Sequence, residues 1–151
     1  MMPPDRASGQ AHFRSILTMV VGQAYQAAGY DLEHAPIQWV GGKYRFLKKA
    51  DNATLTMDYQ VLIYTANEYV AGMPSRFRVM LTRTTNDKAP ITRSLSALVV
   101  SDFGVAILPE ADYWWQFTDT TSLGKALAEA GHLAIGYAIP WLDGTLIPPN
   151  H

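Results

Sequence analysis

The chain has 151 residues, 48% of them apolar and 17% charged, with a formal net charge of −1; this is the profile of one folded domain rather than of a disordered or strongly basic chain. Cysteine is absent, which excludes disulfides, thiolate metal sites and cysteine nucleophiles and leans toward a reducing compartment. The opening Met1-Met2-Pro3-Pro4-Asp5-Arg6 lacks signal-peptide character, and no window approaches the roughly 18 apolar residues of a membrane span, so a cytoplasmic protein is expected.

Residues 1–11 read as a flexible N-terminus and 12–151 as a single α+β domain. From His12 to Ala28, Phe13, Ile16, Leu17, Val20, Val21, Ala24 and Ala27 recur at three- and four-residue spacing. That spacing predicts an amphipathic helix, with Gly29 as its left-handed cap. A loop containing Pro36 follows, and Gly41-Gly42 reads as a tight turn or a bulge. Lys43–Lys49 alternates, with Tyr44 and Phe46 on one side and Lys43 and Arg45 on the other. Asp51-Asn52 signals a turn, and Ala53–Tyr64 alternates Leu55, Met57, Tyr59, Val61 and Ile63 against Thr54, Thr56, Asp58 and Gln60. Together these segments predict a β-hairpin.

Thr65–Ser75 reads as a loop, and Arg76–Arg83 as a third strand with Phe77, Val79 and Leu81 inward and Arg76, Arg78 and Thr82 outward. Residues 91–101 fit a short helix capped by Thr92, with a strand as the alternative. Phe103, Val105 and Ile107 alternate as a further strand. Asp119 or Thr120 caps a last helix over Ser122–Tyr137, which Pro140 is expected to stop; Trp141 and Leu142 then fold back as an apolar plug. Trp114 and Trp115 on an extended segment point to opposite faces. Either one is buried and the other exposed, or both are buried between helix and sheet. The predicted fold is α+β: an antiparallel sheet of four to five strands, with the N- and C-terminal helices packed on one face.

Motifs for known chemistries are scarce. Gly41-Gly42-Lys43 is no phosphate loop, and no nucleophile elbow surrounds any serine. Glu129-x-x-His132 has di-iron spacing but stands as a single copy, so neither a metal nor a cofactor is expected. Glu110/Asp112 and Asp58/Glu68 are the carboxylate pairs that a small hydrolase would need. Charge is unevenly spread. Lys43 to Arg93 holds nine Lys/Arg against four acids, whereas Ser94 to the end holds Lys125 against six acids. The basic middle combines Trp39, Lys43, Tyr44, Arg45, Lys48, Lys49, Arg76, Arg78 and Arg83, a combination that could hold phosphates and stack bases. Against this stand the pI near 6.4 and the lack of an RNA-binding aromatic signature.

The order of an N-terminal helix ending in Gly29-Tyr30, strands with Tyr44-x-Phe46 and Phe77-x-Val79-x-Leu81, Trp114-Trp115, and a closing helix with Ile139-Pro140-Trp141-Leu142 resembles small bacterial α+β domains of unknown function. The resemblance covers about residues 12–144 and implies a fold type. It transfers no catalytic residue. Some domains of that kind accompany toxin–immunity or phage-defence systems, which implies a protein partner. The leading expectation is therefore a non-catalytic module recognising a protein, either a second copy or a partner. Its expected binding residues are Trp39, Tyr44, Arg45, Tyr64, Arg76, Arg78 and Trp114. A carboxylate hydrolase and a single-stranded nucleic-acid binder are the alternatives.

Overall fold

The computed structural model describes residues 6–64 and 74–149. The first helix, α1 (residues 6–27), runs as Arg6–Leu17, a π-helical turn Thr18–Gly22, and Gln23–Ala27. It begins ahead of the expected His12: residues 6–11 are helical, and Gly9 is buried so closely against Ile63 that a Cβ would lie 2.8 Å from that side chain. Phe13, Leu17, Val21 and Tyr25 form its buried stripe, each contributing about 1.5–3 kcal/mol. The helix ends as predicted. Gly29 has φ 95°, its N–H donates to Gln26, and the Tyr30 N–H donates back to Tyr25, satisfying carbonyls that a helix end leaves free.

Six antiparallel strands follow among the described residues: β1 (Asp31–Leu32), β2 (Lys43–Lys49), β3 (Ala53–Leu62), β4 (Ser75–Thr85), β5 (Ile91–Ser94) and β6 (Trp115–Phe117). The order is β1-β2-β3-β4-β5, and β6 also pairs with β4. Strict two-residue alternation buries Tyr44 and Phe46 on β2, Met57, Tyr59 and Val61 on β3, and Phe77, Val79 and Leu81 on β4. Thr56, expected on the solvated side, is buried between its cross-strand neighbours Leu47 and Thr82. The expected Pro36 loop instead contains helix α2 (Pro36–Val40), opened by proline, which needs no N–H there. Gly41-Gly42 is the turn out of α2. At Gly42, φ is 79° and a Cβ would come within 2.4 Å of the Val61 carbonyl oxygen, so only glycine fits.

The ambiguous stretch after Pro90 resolves into both expectations. β5 runs straight into α3 (residues 95–102), and the cap is Ser94 rather than Thr92: its Oγ accepts from the Ala97 N–H at 3.1 Å. The strand expected over Phe103–Ile107 is absent. Those residues form bends and turns, with the Val105 N–H donating to Val99. The sixth strand lies instead at Trp115–Phe117.

The closing helix, α4 (residues 120–143), starts at a reciprocal Asp119/Ser122 capping box. It does not stop at Pro140. A π-helical turn, Ala134–Ala138, precedes the final turn Ile139–Asp143, where Pro140 occupies a first-turn position. A proline cannot donate to the carbonyl four residues back and crowds it; the widened turn absorbs the conflict. Trp141 and Leu142 are therefore helical rather than folded back. Gly144, φ 82°, ends the helix, with Thr145 donating to the Pro140 carbonyl at 2.9 Å. Arg83 of β4 donates to the carbonyls of Trp141 (2.5 Å) and Leu142 (3.1 Å), placing a cation at the negative end of the helix.

The N- and C-terminal helices share one face of the sheet. Phe13 packs on Tyr44, Phe77 and Phe117, with centroids 5.5–6.0 Å apart. α1 and α4 meet at Val21 and Gly131, where a Cβ on the glycine would come within 2.9 Å of the valine. No helix among the described residues is long and apolar enough to cross a membrane.

Candidate binding face

The face of the sheet away from the helices collects the other half of each alternating strand. Register aligns Lys43 with Gln60 and Gln60 with Arg78. One row outward, Leu62 faces Arg76 and Arg76 faces Gln116; one row inward, Arg45 faces Asp58 and Asp58 faces Met80. Extending the β4–β6 register past Phe77 and Trp115 sets Trp114 opposite Arg78 on this same side.

Trp114 is the centre of the face. Its half-buried indole lies 5.2 Å from the Arg76 guanidinium carbon and 4.8 Å from that of Arg78, within the range of cation–π attraction. Arg78 donates from Nε to Gln60 Oε1 at 3.2 Å. The Arg76 Nε is buried with no hydrogen-bond partner. Neither arginine forms an ion pair among the described residues. Arg45 is different: it grips Asp58 through two bonds of 2.7 and 3.1 Å, and the Asp58 carboxylate raises the guanidinium pKa above its ordinary value. Beside this pair is a hollow of about 160 Å³ lined by Glu33, Ala35, Gln38, Lys43, Arg45 and Asp58.

Trp115 faces the other way. It is 2% exposed, stacked on Phe77 at 5.6 Å and edge-on to Tyr113 at 5.1 Å. Its Nε1 donates to Glu129 on α4 at 2.8 Å. The two tryptophans thus point to opposite faces as alternation requires, with Trp115 buried and Trp114 half-buried rather than fully exposed. The segment before them is pinned by buried Ser96, which donates to the Ala111 carbonyl at 2.7 Å and accepts from the Tyr113 N–H at 3.1 Å.

No protein-family model, no curated protein and no solved structure matches the chain.

Four of the seven residues expected to bind, Arg45, Arg76, Arg78 and Trp114, come together on this face. Tyr64 is half-buried past the end of β3, its N–H donating to Ser75; with Leu62 and Val40 it lines a depression at the sheet's end. Two of the expected residues lie on the other side of the sheet. Tyr44 is 1% exposed, inside the core, with its hydroxyl donating to the Gln10 carbonyl. Trp39 lies on α2 toward the helices, under Arg14 (4.2 Å) and against His34 and Tyr44.

The basic middle of the sequence is likewise divided by strand parity. Arg83 and Lys48 turn to the helix side, Lys48 3.8 Å from Asp143. Of the carboxylate pairs, Asp58 is committed to Arg45, Glu110 and Asp112 are exposed, and Glu68 lies outside the described residues. Glu129 is the acceptor for Trp115. Gln116 and Ser96 had gone unremarked: a three-residue strand is too short for periodicity to reveal Gln116, and a Ser-x-Ser run carries no sign of the loop that Ser96 holds.

Proposed function

We propose that the chain is a non-catalytic binding module that recognises a protein through the open face of its sheet. The observation that carries this reading is Trp114: a half-buried indole with two guanidinium groups against its ring, and with Leu62 and partly buried Met80 close by in the register. Tryptophan and arginine are the residue types that dominate interface energies, and an apolar centre with a charged rim is how recognition patches are built. β4 fixes Arg76 by pairing on both edges and Arg78 by pairing with Gln60 of β3, and the Trp115–Phe117 pairing positions the neighbouring Trp114. The side chains are therefore held before any partner arrives, which lowers the ordering cost of association.

A photo-crosslinking residue at position 116, next to Arg76 in register, tests the reading. It is expected to give a discrete protein adduct or a covalent dimer. The adduct should disappear in Trp114→Ala and be missing when the crosslinker sits at Lys125, on exposed α4 surface. A strictly monomeric protein that yields no adduct from position 116 would overturn it.

A further inference from the structure

The geometry points to an acidic, extended peptide segment as the ligand of this face, with two carboxylates two residues apart taken by Arg76 and Arg78. The inference rests on the binding-module reading and names the chemistry of the partner. It starts from an imbalance. Lys43, Arg45, Arg76 and Arg78 share the face with Asp58 and Glu33; Asp58 is already occupied by Nε and Nη2 of Arg45, and Glu33 lies beside that same pair, away from Arg76 and Arg78. Arg76 and Arg78 sit on one strand, two residues apart and on the same side, near the same indole ring. Like charges this close repel, and a buried guanidinium Nε–H without an acceptor costs free energy. An anion laid across both relieves the repulsion, and guanidinium binds carboxylate with paired, directional bonds.

Spacing selects an extended chain. Side chains two apart on a strand are separated by about 7 Å, and alternate side chains of an extended peptide repeat at the same distance. Gln60 and Gln116, on the neighbouring strands of the two rows, add neutral donors and acceptors. Leu62, opposite Arg76, and Met80, two residues beyond Arg78, leave partly buried apolar surface flanking the charges. A nucleic acid fits less well. Single-strand binders stack bases on free aromatic rings, whereas the Trp114 ring already has guanidinium groups at 4.8 and 5.2 Å. A phosphate backbone would also need a long basic track, yet Lys48 and Arg83 of the basic middle lie on the helix side.

Fluorescence anisotropy on the purified chain tests the inference, with three labelled probes: an alternating Ser-Glu decapeptide, its Ser-Gln counterpart and a thymidine decamer. The Ser-Glu peptide is expected to bind and the Ser-Gln peptide not to. The Arg76→Gln, Arg78→Gln double variant should weaken binding at least tenfold. Asp58→Asn, which removes the carboxylate that Arg45 grips, should tighten it severalfold. Because these changes have opposite signs, general damage to the fold cannot mimic the pattern; circular dichroism verifies folding in each. Equal binding of the two peptides, tighter binding of the thymidine decamer, or indifference to both variants would overturn the acidic-peptide chemistry. If position 116 still cross-links a protein while the Ser-Glu peptide fails, only that chemistry falls. If neither binds, the binding-module reading falls with it.

Discussion

Trp114 and Trp115 are adjacent in sequence and sit on opposite sides of one sheet. On the helix side, Trp115 has every requirement met: a stacked ring, an edge-on tyrosine and an acceptor for its N–H. On the open side, Trp114 has two cations that form no ion pair among the described residues. The same alternation that packs one side leaves the other with unspent hydrogen-bonding capacity. The difference teaches where to look for function: the closed side explains why the chain folds, the open side what it can hold.

Substitution can break that contrast. The largest effect is expected at the closed side, where Trp115→Ala should cost about 3–5 kcal/mol and lower the melting temperature by about 10 °C in a scanning calorimeter. Trp114→Ala should cost less than about 1 kcal/mol, the scale of an exposed cation–π contact. Equal losses would erase the distinction between the two faces.

Tyr25→Phe comes next. The Tyr25 and Tyr59 hydroxyls share a buried 2.5 Å hydrogen bond, and removing one partner should cost about 1–3 kcal/mol by denaturant titration. Burial raises the pKa of both phenols above the ordinary value of 10. The folded state therefore favours their protonated forms, and the stability they contribute is complete below that value and lost as pH rises beyond it. In an alkaline titration followed at the tyrosinate absorbance band, these two should ionise only as the protein unfolds. Glu129→Ala should follow at about 1 kcal/mol, from the orphaned Trp115 N–H.

The smallest effect concerns Asp119. Its bond from the Ser122 N–H holds the carboxyl below the usual value of 3.8. Its contribution is present above that value and fades as pH falls through the depressed one. Denaturant midpoints of the parent and Asp119→Asn should therefore converge in acid.

Much of this architecture was legible in the residues. The two-residue period of β4 and, Thr56 apart, of β3, the Gly29 cap and the helix start at Asp119, one of the two caps expected there, are local signals that formed. The failures have local causes too. Phe103–Ile107 alternates like a strand, but the flanking strands already occupy both edges of β4, so nothing remains for it to pair with there. Pro140 reads as a stop only if the preceding turn is α-helical, and it is π-helical. At the open face, alternation was enough to put Arg76 and Arg78 outward. The aromatic character of Tyr44 and Trp39 said nothing about which side they would take, and both went toward the helices. Register is the missing quantity: it alone brings Lys43, Gln60, Arg78 and Trp114 into one line.

Strand β4 is bonded along one edge to β3 over ten consecutive residue pairs and along the other to β5 and β6, and through Arg83 it also holds the carboxyl end of α4. Its amides are thus expected to be among the slowest in the chain to exchange with deuterium. Anything that settles on Arg76 and Arg78 meets a backbone that has already surrendered its freedom, so recognition should run as lock and key, with selectivity decided by the visitor's charge spacing rather than by any reshaping of the host.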